Sequence, residues 1–62
     1  MKIEELDLTP VIVRHLHGAG ITSVAQLTVL RRSQVRELHG MGEKVTERLE
    51  VALAKIGKHL KR

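Results

Sequence analysis

Apolar residues along this chain recur three and four positions apart in short runs, and glycine or proline punctuates the runs. That period belongs to helices with one buried face. Ile3, Leu6 and Leu8 mark a short N-terminal segment, and Thr9-Pro10 after it predicts a helix start, with Thr9 at the cap and Pro10 at the first position. A first helix is expected over about Pro10 to His17. Thr22 or Ser23 caps a short second helix reaching about Leu27 or Leu30, and a third covers about Arg32 to His39. The fourth is the longest, from Glu43 to about Ile56. In it Val45, Leu49, Ala52, Leu53 and Ile56 form an apolar stripe, with Lys44, Glu47, Arg48 and Glu50 off it. Gly57 ends that helix, and the basic tail Lys58 to Arg62 is expected to fray, although Leu60 is apolar enough to fold back on the core. The fold class is all-α, a four-helix domain.

Self-similarity refines this picture. Val13-Arg14-His15-Leu16-His17-Gly18-Ala19-Gly20 matches Val35-Arg36-Glu37-Leu38-His39-Gly40-Met41-Gly42 at six of eight positions, at an offset of 22 residues. The register continues into Leu27 and Leu49, with Val24 against Thr46 a weaker pair. Each copy reads as helix, tight turn, helix. Val13 with Leu16, and Val35 with Leu38, are the apolar pairs that run into a Gly-x-Gly. The first glycine suits a left-handed cap, and the second lets the backbone turn closely without a Cβ in the way. Such a unit resembles the helix-hairpin-helix motif, so the chain is expected to hold two of them related by an internal repeat. Met41, between glycines, is expected to tuck into the core.

At 62 residues the chain is expected to be one domain, residues 1–62. A domain this small buries only about 60% of the surface its unfolded chain exposes. It has no Phe, Tyr or Trp, so aliphatic side chains alone make its core. Eleven Lys and Arg against seven acidic residues give a net charge of +4, which favours an acidic partner such as nucleic acid. There is no cysteine, hence no disulfide and no thiolate metal site. No run approaches the ~18 apolar residues of a membrane span, and the N-terminus lacks a signal-peptide pattern. No membrane partner is expected, and the expected address is the cytoplasm, on the nucleoid.

The second hairpin carries the chemistry. A glycine turn that opens a helix presents unpaired backbone N–H groups at the positive end of the helix dipole. Gly40 and Gly42 would supply the turn, Lys44 a charge in the first turn, and Arg48 a second charge on the same face. Glu43 opposes this, since a carboxylate at the helix start repels phosphate. The first hairpin has no basic residue after Gly20 and reads as structural. Four histidines, His15, His17, His39 and His59, lack cysteine or an acidic cluster beside them, so hydrogen bonding outweighs metal ligation. Protonated, His17 and His39 could donate to phosphate. Asp7 is the sole aspartate, and neither it nor Ser23 and Ser33 sits in a context that activates a nucleophile. No active site and no cofactor are expected; the chain reads as a non-enzyme.

Ile3-Glu4-Glu5-Leu6-Asp7-Leu8-Thr9, then Leu16-x-x-Ala19-Gly20-Ile21-Thr22-Ser23-Val24-x-x-Leu27, then Met41-Gly42-x-Lys44 together resemble the C-terminal domain of the bacterial RNA polymerase alpha subunit. The resemblance runs without gaps over nearly the whole chain. It implies a four-helix domain that grips the DNA minor groove through its first helix and the hairpin leading into its last, and that touches sigma factors and activators. By the same resemblance Gly42 and Lys44 match positions that contact the DNA backbone. Val11 stands where the family has its minor-groove arginine, Arg14 where it has an asparagine, and Val45 where it has a phosphate-contacting serine. The leading expectation is therefore a non-catalytic module in transcription that holds double-stranded DNA by its backbone through Arg14, Gly40, Gly42, Lys44 and Arg48, with a log–log salt slope of about −3 to −4. The other reading is a protein-interaction module on the same fold that docks to RNA polymerase subunits or transcription factors without DNA. Lys55, at the far end of the last helix, is expected to lie away from the hairpin.

Overall fold

The computed structural model describes residues 1–38 and 41–61. A single 3-10 turn, Ile3–Glu5, precedes four helices: α1 Pro10–Gly18, α2 Val24–Thr28, α3 Arg32–Glu37 and α4 Glu43–Ala54. The fold is all-α, with no strand among the described residues. The starts of α1 and α2 are specified by side-chain caps. The Thr9 hydroxyl accepts from Ile12 N at 3.3 Å, with Pro10 in the first turn of α1. Ser23 and Gln26 cap α2 reciprocally: Gln26 N donates to Ser23 Oγ at 3.3 Å, and Gln26 Oε1 accepts from Ser23 N at 3.0 Å and Thr22 N at 2.8 Å.

The end of α1 explains one glycine. Ile21 N donates to Leu16 O at 2.9 Å and Gly20 N to His17 O at 3.0 Å, the two bonds of a Schellman motif, with Gly20 at φ 81°. Leu16 and Ile21, both buried, flank that turn as the motif's apolar pair. The left-handed residue is thus the second glycine of the hairpin, not the first. Gly18 is the last residue of α1. A Cβ on Gly20 meets nothing within 4 Å, so the Gly20→Ala penalty is the backbone conformation alone. Gly20→Ala is expected to destabilise by about 1 kcal/mol, after the smaller entropy of the unfolded chain is set against the left-handed cost. A thermal melt checks this, with a drop of about 4–8 °C expected for each kcal/mol in so small a domain. Gly57, at φ 72°, closes α4 in the same way, with Lys58 N on Leu53 O at 2.9 Å.

Ile3, Leu16, Leu27, Val35, Leu49 and Leu53, all fully buried, are the centre of a core to which every helix contributes. The apolar pair of α1 is Ile12 with Leu16, four apart, and Val13 lies a third of a turn round, half-buried. Three consecutive aliphatic residues at 11–13 left that register open to the wrong choice. Helix α3 ends at Glu37, because Leu38 is extended at φ −66°, ψ 144° and so packs half-buried from a loop; His39 lies outside the described residues. Met41 is half-buried against the core, as expected. On α4 the fully buried residues include Thr46, whose hydroxyl donates to Gly42 O at 2.8 Å. That bond lets a polar side chain occupy a core position.

The ends of the chain are stitched to the middle. Ile3 N donates to Thr22 O at 3.3 Å and Val24 N to Met1 O at 2.8 Å, tying the N-terminal segment to the start of α2. At the other end Lys61 N donates to Leu30 O at 2.8 Å and Leu60 is buried. The tail from Lys58 to Lys61 is therefore docked rather than frayed, because Leu60 contributes apolar area that a core without aromatics lacks. The sequence repeat is not established by the structure. Val24 with Thr46 and Leu27 with Leu49 are buried in both copies, yet Gly20 is left-handed whereas Gly42 is extended at φ −145°, ψ −172°.

Candidate nucleic-acid interface

Helix α4 carries two differently charged flanks. With 3.6 residues per turn, Lys44, Arg48, Val51 and Lys55 fall on one side and Glu43 and Glu50 on another, with the buried residues between them at the back. The acidic flank faces α3. The Glu43 carboxylate accepts from the Arg32 guanidinium and lies 3.0 Å from Arg36 Nε, while Arg32 Nε donates to Glu50 Oε1 at 2.7 Å. These bonds hold the Glu43 carboxyl below the usual carboxylate range, Arg32 being the main cause, and raise Arg32 in turn. The carboxylate that the sequence set against phosphate binding is thereby neutralised by two arginines and turned towards α3. Arg32 and Arg36 were not foreseen in this role. Their four-residue spacing opposite acidic residues seven apart on the next helix was the available signal.

The basic flank of α4 faces the N-terminal segment across a groove of about 510 Å³. Asp7, Leu8, Thr9 and Ile12 form one wall, and Lys44, Glu47, Arg48, Val51, Ala52 and Lys55 the other. Lys44 and Arg48 are exposed, and among the described residues no carboxylate pairs with either. Lys55, at the end of α4 away from the hairpin, lines the same groove, since eleven residues after Lys44 the helix has returned to the same face. Its ammonium pairs with the Asp7 carboxylate, which lowers the Asp7 pKa.

Of the other residues singled out by the sequence, Gly42 is the N-cap of α4, and a Cβ there would meet nothing within 4 Å. No steric demand of the protein explains that glycine. Gly40 lies outside the described residues. Arg14 is exposed on α1 and lines two other hollows, one with Glu4, Val13 and His17, the other with His15, Gly18 and Ala19. The structure therefore brings Lys44 and Arg48 together beside Gly42 and leaves Arg14 outside that groove. Val11, on the same side of α1 as Arg14, is 56% exposed. His17 Nε2 lies 3.3 Å from Glu4 Oε2, which occupies the histidine with a carboxylate.

Asp7 and Glu43 give up their protons more readily in the folded state than in the unfolded chain. The stability they contribute is present above the ordinary carboxylate range and is lost as pH falls through their folded values. Melting temperature is expected to decline between about pH 5 and pH 3, and a double Asp7→Asn, Glu43→Gln variant to decline less steeply. Identical slopes for the two proteins would show that these ion pairs do not set the acid response.

The chain is 38% identical over 61 residues to the DNA-directed RNA polymerase subunit alpha of Thermus aquaticus. It is similar in sequence to a polymerase alpha subunit. The match covers 98% of this chain and 19% of that subunit, so the chain spans about a fifth of the curated relative's length. A stretch of that size is consistent with one domain of the subunit, and it agrees with the resemblance read from Ile3 through Lys44. No family model matches the chain.

Proposed function

We propose that this chain is a non-catalytic, DNA-binding module of transcription, one domain over residues 1–62, that holds the phosphate backbone of double-stranded DNA at the N-terminus and basic flank of α4. One observation carries the reading: Glu43 is bound by Arg32 and Arg36, so the start of α4 keeps its dipole and its free N–H groups while its own carboxylate is engaged elsewhere. Thr46 N bonds back to Gly42 O at 2.9 Å, and among the described residues the N–H groups of residues 43–45 have no backbone acceptor, which suits them to a ligand. Lys44 and Arg48 add two uncommitted charges within about 6 Å of rise. Gly42 gives a phosphate close access to the amides, a use consistent with a glycine that the fold itself does not require. Similarity to a DNA-directed RNA polymerase subunit supports the transcriptional setting, and with it a cytoplasmic, nucleoid-associated location. Arg14 on α1 would supply a further contact in place of the missing arginine at Val11.

With Lys44, Arg48 and Arg14 each neutralising a phosphate, the log–log salt slope of duplex binding is expected near about −3. An amide-shift titration with duplex DNA locates the contact. Shifts concentrated at residues 42–48 with that slope support the reading, and a slope near zero overturns it. A second reading, docking to polymerase subunits or transcription factors, draws on the exposure of Val11 and Val51, at 56% and 58%. Titration shifts confined to polymerase or factor additions, with none from DNA, would favour it.

A further inference from the structure

We propose that Asp7 is an internal stand-in for a phosphate: its carboxylate occupies Lys55, the third cation of the groove, and surrenders it when a nucleic-acid backbone enters. The inference rests on the backbone-binding reading and extends it to a residue on each wall. Asp7 and Lys55 are 48 residues apart in sequence, and their contact joins the N-terminal segment to the end of α4 across the groove that Lys44 and Arg48 line. Lys44, Arg48 and Lys55 stand in a row along one helix face, about 16 Å from first to last by helix rise, so a strand following Lys44 and Arg48 meets Lys55 next.

Two features make Asp7 displaceable. The pair is open to solvent, with side-chain exposures of 57% for Lys55 and 75% for Asp7, and exposed pairs couple weakly. Asp7 is itself exposed, between Leu6 and Leu8 that pack inward, so its carboxylate can swing away without uncovering the core. While in place it cancels one cation of the groove; once displaced it leaves Lys55 free to release a counterion from DNA.

The test measures binding of the 62-residue chain to a mixed-sequence duplex across a salt series, for the wild type, Asp7→Asn, Lys55→Gln and the double variant. Asp7→Asn is expected to tighten binding by about two- to fivefold, the range open to an exposed pair that DNA no longer has to break, with the salt slope little changed because Lys55 meets a phosphate in both proteins. Lys55→Gln alone is expected to change affinity by less than about twofold, because the phosphate contact it loses is offset by the ion pair that no longer has to break. In the double variant the gain from Asp7→Asn should vanish. A gain that survives without Lys55 means that Asp7 acts only through its long-range field, and no gain at all means that it gates nothing; either result overturns the proposal. If none of the four proteins binds the duplex, the backbone-binding reading falls with it, whereas wild-type binding without an Asp7→Asn effect removes this inference alone.

Discussion

Lys44→Glu is expected to weaken duplex-DNA binding by about ten- to a hundredfold, the worth of one charge-assisted contact, while leaving the domain folded. Its effect on stability should run the other way. A lysine in the first turn of a helix sits at the positive end of the dipole, and a glutamate there is favoured by a few tenths of a kcal/mol to about 1. Opposite signs for affinity and melting temperature would separate a lost ligand contact from a damaged fold. The comparison needs a variant with the same change in net charge outside the groove, and Lys61→Glu supplies it, because Lys61 lines none of the groove and its structural bond is made by its backbone. Lys55→Glu cannot serve, since it would set a carboxylate against Asp7 inside the site. Lys61→Glu is expected to weaken binding only through the overall field, by less than about threefold at physiological salt. Equal losses in the two variants would make attraction a property of net charge, with the start of α4 no more than a turn.

How far the sequence already contained this site depends on where each signal lies. Caps and stops are local chemistry, so Thr9-Pro10, Ser23 with Gln26, and Gly57 were legible from neighbouring residues. Lys44 and Arg48 share a helix face by spacing alone, which a periodic pattern reports. Contacts between segments were not legible from neighbouring residues. Nothing adjacent to Glu43 indicates that Arg32 and Arg36 will hold it, and nothing near Lys55 indicates Asp7. The glycines show the same divide. The second glycines of the two Gly-x-Gly repeats take different backbones: the chain reverses through Gly20 into the buried Ile21, whereas Gly42 stays extended to open α4. Thr46 was hidden for a related reason. Its apolar register was discounted because it is polar, yet the Gly42 carbonyl satisfies its hydroxyl.

Leu49→Ala is expected to cost about 2–5 kcal/mol, the range for removing a buried leucine side chain without full collapse of the cavity. Leu49 is fully buried, near the middle of α4, and it belongs to the cluster that joins α4 to every other helix. With no aromatic ring in the chain to swing into the space, and neighbours such as Leu53 and Leu27 already without exposed surface, relaxation is restricted. A domain of this length holds roughly 3–9 kcal/mol in all, so the variant is expected to populate unfolded chains at room temperature. Leu38→Ala provides the contrast. In the repeat Leu38 is the counterpart of the fully buried Leu16, but Leu38 lies beyond the end of α3 and is half-buried, so about 1–2 kcal/mol is expected from the smaller area returned to water. Urea unfolding of the two variants, with unchanged m-values, decides between them. Equal losses at Leu38 and Leu49 would mean that Leu38 is as deeply packed in the core as Leu49; a loss at Leu49 at least twice that at Leu38 is what the observed packing requires.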